Sequence, residues 1–506
     1  SNSGHVWMGG GAYNSTWNGL EGGNTSAKAK TVIAVADIMQ IITQTQTYQN
    51  AITLENFDLS TNGGHFFAHG QSAGESTGYG HIGVMIQRGC NILTGTGDIT
   101  IAGTNASARN ASGWYWGVLL ASDRPTEPNI IETTSGTINI TGNAANSFSF
   151  AHSGGIGIFE WIYAGGTGVN RIKTNNGNIN LTGTNAHPSN SSYGGLVLVS
   201  NPASKEIVTQ TGTITLTGIT QNAAANGLAI GGEVKIGYDG VNACSGNINL
   251  VGDRMAALHA NTRIQSSGIL NIKPITNSTS IGIAGATGTL ALPASYFSGN
   301  FADGFSNILI GSNTQSGDIA INTVTVNDNI TLQTSGAVTQ VGAISAPGQQ
   351  LNLMGGNFTL TNAGNEVGKL TANAGTIAWL NNAAMQLNNI TATGTLNIST
   401  ASGNLTVAGN ISTSNASAAA IRLGAGTGNN SGTAGGGNII LSGSPSITTG
   451  SGGVARLYTG AFSPSDGLYS YVSNNLNRVQ FNADISTSTF NPALLAGVNI
   501  LYRENV

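Results

Sequence analysis

The sequence predicts an all-β protein, a parallel β-helix (β-solenoid) with protruding loops and a small C-terminal cap or connector. Three observations predict it. Gly317, Gly336, Gly356, Gly375 and Gly394 lie 19, 20, 19 and 19 residues apart, an interval too short for a helix pair and suited to one turn of a coiled sheet. Most of these glycines open one phrase: Gly317-Asp318-Ile319-Ala320-Ile321, Gly356-Asn357-Phe358-Thr359-Leu360, Gly375-Thr376-Ile377-Ala378-Trp379, Gly394-Thr395-Leu396-Asn397-Ile398. Each phrase alternates apolar with small polar residues, the period of a half-buried strand.

The same phrase recurs earlier at a wider interval. Gly97-Asp98-Ile99, Gly136-Thr137-Ile138, Gly177-Asn178-Ile179, Gly212-Thr213-Ile214 and Gly246-Asn247-Ile248 start 39, 41, 35 and 34 residues apart. A second phrase with its own glycine lies between them (Gly117-Val118-Leu119-Leu120, Gly155-Ile156-Gly157-Ile158, Gly195-Leu196-Val197-Leu198, Gly227-Leu228-Ala229-Ile230). A third apolar signal precedes each restart, at Ile130-Ile131, Ile172, Ile207-Val208 and Ile264. Three strands per unit suit one large triangular rung; the alternative is two short rungs per interval. The stretches Asn143–Ser153 and Thr184–Tyr193 then read as loops leaving one corner.

Four regions follow: residues 1–90, rungs with an irregular Lys28–Thr47 insertion; 91–316, large looped rungs; 317–453, regular rungs of about 19 residues; 454–506, terminal rungs with a cap or connector. Glycine at the corners is expected to supply positive φ and close approach of rungs.

Composition agrees with a stack. The chain has 506 residues, 74 of them Gly, with 39% hydrophobic and only 8% charged. Ile, Leu and Val in alternation supply a continuous core, so low charge here does not signal disorder. Parallel rungs roughly 4.8 Å apart would turn any repeated charge into a repelling column. The residue after the leading glycine runs Asp98, Thr137, Asn178, Thr213, Asn247, with no two neighbours charged.

Several function classes lose support. Net charge is −4, from 17 basic and 21 acidic residues, without a basic run; a nucleic-acid surface is not expected. The most apolar run, Val32 to Ile42, is interrupted by Asp37 and Gln40, so no membrane span is expected. Cys90 and Cys244 form neither a disulfide framework nor a metal-ligand spacing, and read as small buried hydrophobes. No secretory signal opens the chain at Ser1-Asn2-Ser3-Gly4-His5-Val6-Trp7, and both ends read as those of a segment from a longer protein.

The phrases Gly-Asn-Phe-Thr-Leu-Thr, Gly-Lys-Leu-Thr-Ala and Gly-Asn-Leu-Thr-Val-Ala-Gly-Asn-Ile within 317–410, the Leu290–Ile321 stretch and the closing Tyr502-Arg503-Glu504 resemble the repeat regions of filamentous-haemagglutinin-like exoproteins. The resemblance covers most of the chain in style and implies a right-handed parallel β-helix from a large bacterial surface adhesin exported by two-partner secretion. The Asn-Pro-Asn-Gly-like motif of that family's secretion domain is absent, and no Arg-Gly-Asp occurs; Arg88-Gly89-Cys90 comes nearest.

A polysaccharide-cleaving β-helix needs carboxylates converging on one groove. Four residues before successive leading glycines stand Glu132, Lys173, Val208 and Asn242, so no acidic column is expected. Asp123, Glu127 and Glu132 cluster in sequence, in a loop marked by Pro125 and Pro128. His65 and His69, with His81 beyond, would be a metal pair on a helix; in strand and turn context they lie too far apart for one ion. Gly95-Thr96-Gly97-Asp98 hints at a calcium-binding repeat without tandem copies. Aromatic residues are more suggestive. Trp114, Tyr115 and Trp116, with Trp161 and Tyr163 near the same phase of the next unit, could form a shelf for sugar rings, or could be core fillers.

The expectation is a non-enzymatic structural or adhesive segment of a secreted bacterial surface protein, with no cofactor or metal. Its partners would be host or neighbouring-cell surface glycans or proteins, with possible end-to-end self-association into fibres. The alternatives are a carbohydrate-binding module on the aromatic shelf and a polysaccharide-degrading β-helix.

Overall fold

The computed structural model describes residues 5–9, 32–35, 50–72, 80–105, 114–122, 128–144, 152–160, 170–187, 194–199 and 205–505. The chain forms two compact units, residues 1–275 with 299–306 and residues 276–298 with 307–506. Both are coils of parallel strands, so the β-helix architecture stands.

In the first unit each turn contributes one strand to each of three sheets. Ile99–Asn105 lies in the first sheet, Trp114–Ser122 in the second and Ile130–Glu132 in the third, before Ile138–Ala144 returns to the first. Ile99 pairs with Ile138, Ile138 with Ile179, Ile179 with Ile214 and Ile214 with Ile248. Each 34–41-residue interval is therefore one large rung. Strands Ile138–Ala144 and Ile179–Asn185 run on past their Thr-Gly into the stretches read as loops; residues 145–151 and 188–193 lie outside the described residues. Of the Lys28–Thr47 insertion only strand Val32–Val35 is described, paired with Ile52–Glu55.

The register stacks like on like. The first sheet buries the columns Ile99, Ile138, Ile179, Ile214, Ile248 and Ile101, Ile140, Leu181, Leu216, Leu250. The third sheet buries Ile92, Ile131, Ile172, Ile207, Ile236 and Ile264. Each such side chain contributes about 1.5–3 kcal/mol of burial. The second sheet differs, being covered on both faces. Val118 and Leu120 face the coil's interior, yet Leu119 and Ala121 are equally buried in an outer layer with Ile82, Met85, Trp116, Phe159 and Val197. Its phrases are continuous apolar runs rather than alternating ones, as a sheet covered on both faces requires.

The leading glycines mark where rungs meet backbone to backbone. A Cβ on Gly136, Gly177, Gly212 or Gly246 would lie 1.8–2.0 Å from the carbonyl oxygen of the leading glycine one rung before. None of these residues has positive φ, so of the two expected reasons for glycine only close approach applies. A second seam joins first and second sheets: a Cβ on Gly103, Gly142, Gly183 or Gly218 would strike the carbonyl of Gly117, Gly155, Gly195 or Gly227 at 1.9–2.1 Å.

Polar side chains fasten the first seam from both sides. Thr209, three residues before Gly212, donates to the Gly177 carbonyl at 3.0 Å and accepts the Gly212 amide at 3.0 Å. Thr133 and Thr174 repeat this in their own rungs, as does Thr334 at Gly336. On the other side, Asp98 accepts the Thr137 amide (2.7 Å), Asn178 that of Thr213 (2.8 Å), Asn247 that of Ile269 (2.8 Å), Asp318 that of Ala337 (2.8 Å) and Asn357 that of Thr376 (2.9 Å). The Asp/Asn–Thr alternation thus has a direct cause beyond charge avoidance: a side-chain oxygen holds the next rung's amide.

The second unit coils with a shorter pitch along the chain. Ile319 pairs with Val338, Val338 with Phe358, Phe358 with Ile377 and Ile377 with Leu396. Ile319, Ile377 and Leu396 are each 0% exposed, with Trp379 buried in the neighbouring column between Leu360 and Ile398. The interval then lengthens: Leu396 pairs with Ile421, Leu405 with Ile439 and Ala455 with Val498. The regular rungs of about 19 residues therefore stop short of residue 453.

The C-terminal stretch combines rung and cap. Val454–Thr459 and Gly497–Tyr502 pair as the last two turns, with helix Asp466–Tyr471 between them in sequence. The Tyr471 hydroxyl accepts the Ile447 amide at 2.7 Å and the Thr459 hydroxyl that of Ile439 at 2.9 Å, satisfying strand-edge donors that would invite another chain. Phe462 and Phe481 pack on Tyr502. The buried Arg503 donates to the carbonyls of Gly435, Gly437 and Ala425. Asp484 accepts the amides of Ser431 (2.8 Å) and Ser486 (2.9 Å) and the Ser486 hydroxyl.

Gly177→Ala is expected to destabilise the protein by about 1–3 kcal/mol through overpacking of the seam. Gly231→Ala, where a Cβ meets nothing within 4 Å, is expected to be neutral or slightly stabilising. Denaturant unfolding of the two variants checks the contrast. The Ser486 hydroxyl, ahead of the backbone amides, holds the Asp484 carboxyl below its usual value. The stability it contributes is complete above about pH 4 and is lost as pH falls through the lowered native value. Acid titration followed by tyrosine near-UV circular dichroism should therefore show a cap transition below pH 4 that Asp484→Asn flattens.

Candidate functional site

The aromatic shelf does not form as expected. Tyr115 is 1% exposed and Trp116 0%. Trp116 packs edge-on to Phe159 with centroids 4.9 Å apart, and its ring occupies the space that a Cβ on Gly154 or Gly157 of the next rung would need. Gly154 therefore makes room for the indole and Gly157 for the Phe159 and Trp116 rings together, while Gly155 serves the backbone seam. Tyr115 stacks on buried His81, its register partner one rung before, at 5.5 Å. Neither ring can present a face to a sugar. Trp114 remains half-buried, edge-on to Phe159 at 5.9 Å. Trp161 and Tyr163 lie outside the described residues.

The histidines do not converge either. His65 precedes the strand Phe66–Ser72, His69 lies within it, and His81 belongs to the second sheet. Four strand residues separate His65 from His69 by ~13 Å. Among the described residues no three His, Cys, Asp or Glu side chains come together as a metal site, and no helix is long and apolar enough to cross a membrane. Cys90 and Cys244 are buried; burial pushes the Cys90 thiol up to about 11 and raises that of Cys244, which keeps both protonated and unreactive.

The acids are distributed and matched. Glu132 sits in register between Leu93 and Lys173, and Lys173 beside Val208. Asn242 does not continue that column. It belongs to a tight reversal closed by the antiparallel bridge Tyr238–Ala243, where Asp239 accepts the amides of Val241 and Asn242. Asp123 and Glu127 lie outside the described residues. Glu55 pairs with Arg88 and accepts from Gln87 at 2.9 Å.

What reaches the outer face of the third sheet is a ladder of charge. Asp58, Asn91, Ile130, Arg171, Glu206, Lys235 and Arg263 occupy one register column. Glu206 is nearly buried and accepts from Arg171 Nε at 2.8 Å and Lys235 Nζ at 3.4 Å. Arg263 lies over the Tyr238 ring at 4.8 Å and donates to Gln265 at 2.8 Å. One carboxylate between two cations turns the repulsion of stacked like charges into attraction. Inside the same sheet runs a polar column, Cys90, Asn129, Asn170, Lys205: Asn129 donates to Asn170 at 2.9 Å and to the Ala121 carbonyl at 2.8 Å. Sequence reading passed over both columns. The available signal was a charged or Asn residue flanking each isolated third-strand isoleucine.

Glu206→Gln is expected to cost about 1–2 kcal/mol, the scale of a charge-assisted bond, and to weaken the dependence of stability on ionic strength. Urea unfolding at low and high salt measures both.

Comparison with protein-family models, with curated proteins and with solved structures gives no match.

Proposed function

We propose that this chain is a structural, adhesive segment of a large secreted bacterial surface protein, a rigid β-solenoid that presents a surface for attachment to cells or matrix. One observation carries the reading. Outward polar side chains are spent as fasteners between rungs: Asn180 donates to Asn139 at 2.9 Å, Asn249 to Thr215 at 3.1 Å and Asn352 to Thr331 at 3.0 Å, besides the Asp and Asn side chains that hold the next rung's amides. A surface whose functional groups are committed to its own scaffold suits load-bearing and display better than bond-breaking chemistry, which needs groups left to act on substrate. The resemblance of the repeat phrases to those of filamentous-haemagglutinin-like exoproteins supports the same reading and the same cell-surface location.

A second reading, glycan binding, rests on Trp114, the one member of the described aromatic set that keeps part of its surface open. A glycan array and an adhesion assay with protein-coated beads separate the readings. Bead attachment to cells that survives Trp114→Ala supports the adhesive segment; array binding abolished by Trp114→Ala supports the glycan module. Shortening of pectic or alginate-type polymers by the purified chain would contradict both.

A further inference from the structure

One outward register column of the second unit departs from the charge matching and the fastening seen elsewhere. Ala378, Asn397, Arg422, Arg456 and Asn499 follow one another on consecutive rungs. Arg422 and Arg456 therefore stand on strands about 4.8 Å apart, where like charges repel. Among the described residues neither forms an ion pair. Lys235 and Arg263 also adjoin, but Glu206 comes next in that column and takes Lys235. The arginine pair has only Asn397 on one side and Asn499 on the other.

Both guanidinium groups are held in place. Arg422 lies over the Tyr458 ring at 5.8 Å and donates from Nη2 to the Ile485 carbonyl at 2.6 Å. Arg456 lies over the Phe490 ring at 5.0 Å and donates from Nε and Nη2 to the Ala418 carbonyl at 3.0 and 2.7 Å. These contacts leave Nη1 of each arginine without a partner and within reach of solvent, and Arg422 Nε buried without one. Asn397 is half-buried, and its carboxamide makes no hydrogen bond among the described residues, unlike Asn180 and Asn249, which bond to the rung before. An open carboxamide and two fixed cations thus lie in one line about 10 Å long, two rung spacings. Free guanidinium N–H groups call for an oxyanion, carboxylate above all. The carboxamide both donates and accepts, as a sugar hydroxyl does. A chain that carries carboxylates among hydroxyls meets all three.

We propose that Asn397, Arg422 and Arg456 form a binding site for a polyuronate, a polysaccharide whose sugars carry carboxylates. Uronate oxygens accept from the two Nη1 groups, and a sugar hydroxyl bonds the Asn397 carboxamide. The site names a partner chemistry for the attachment surface and rests on that reading for its role, while its geometry stands on the column alone.

The test is binding of the full chain to immobilised polygalacturonate, with its methyl ester and dextran sulfate alongside, at low and high salt. Binding to polygalacturonate is expected to weaken with salt and to be about ten-fold or more tighter than to the uncharged ester. Arg422→Gln/Arg456→Gln is expected to weaken it by about ten-fold or more. Because these arginines also bond the Ile485 and Ala418 carbonyls, Asn397→Asp supplies a second variant. It keeps both arginines and their contacts, sets a carboxylate one rung from Arg422, and is expected to weaken binding likewise. No binding, equal binding of the ester, a preference for dextran sulfate, or a natural affinity in Asn397→Asp overturns the site. Binding is read on the purified chain, so a failure of coated beads to attach to cells counts against the attachment reading alone.

Discussion

At Gly136, Gly177, Gly212, Gly246 and Gly356 two turns of backbone approach so closely that no side-chain carbon fits between them. The amide and carbonyl groups forced together there need partners. At Gly136, Gly177 and Gly212 the threonine three residues before supplies one, by bonding the glycine carbonyl of the previous rung and the glycine amide of its own. The Asp or Asn one residue after supplies the other, by holding the following rung's amide. Unpaired, buried backbone groups would each cost about 1–3 kcal/mol; paired in this way, they set the register that places isoleucine over isoleucine. The aliphatic columns follow from the fastening, because a one-residue slip would turn every inward side chain outward.

The same constraint shapes the exterior. Where charge repeats from rung to rung it is matched by its complement at Arg171, Glu206 and Lys235 or stands as a single step, as at Asp98. Where cations do stack, Lys235 beside Arg263 and Arg422 beside Arg456, the arginines lie over the Tyr238, Tyr458 and Phe490 rings. Elsewhere the repeats use Asn and Thr, whose side chains bond to one another along the coil. The second sheet departs from this economy by burying its outer face, and that is where the aromatic residues Trp116 and Phe159 go.

Much of this was legible in the residues. The glycine metronome and the alternating Ile, Leu and Val specified a coil of parallel strands and the buried positions 319, 377 and 396; whether each wide interval is one three-strand rung or two short ones is settled only by the strand pairing. The reason for glycine was half legible: close approach is required, positive φ is not, and spacing alone cannot distinguish them. The threonine three residues before Gly136, Gly177 and Gly212 was visible as a repeat but has meaning only when adjacent rungs are superposed. Trp116 misled because aromatic clustering reads alike for a binding shelf and for a covered sheet. The continuous apolar phrase Val118-Leu119-Leu120-Ala121 was the better guide, since a sheet facing water on one side would have alternated. Glu206 and Lys235 were not legible because single charged residues acquire a partner only across rungs.

The account stands or falls on side chains acting as rung-to-rung fasteners. Residue-resolved amide hydrogen exchange reads this directly at Thr137, Thr213, Ala337 and Thr376, whose amides have side-chain oxygens as acceptors. Protection at these four comparable with that of Ile140 and Leu181 inside the strands is the predicted result. Exchange at the rate of an open loop, with the strand interiors still protected, would contradict it.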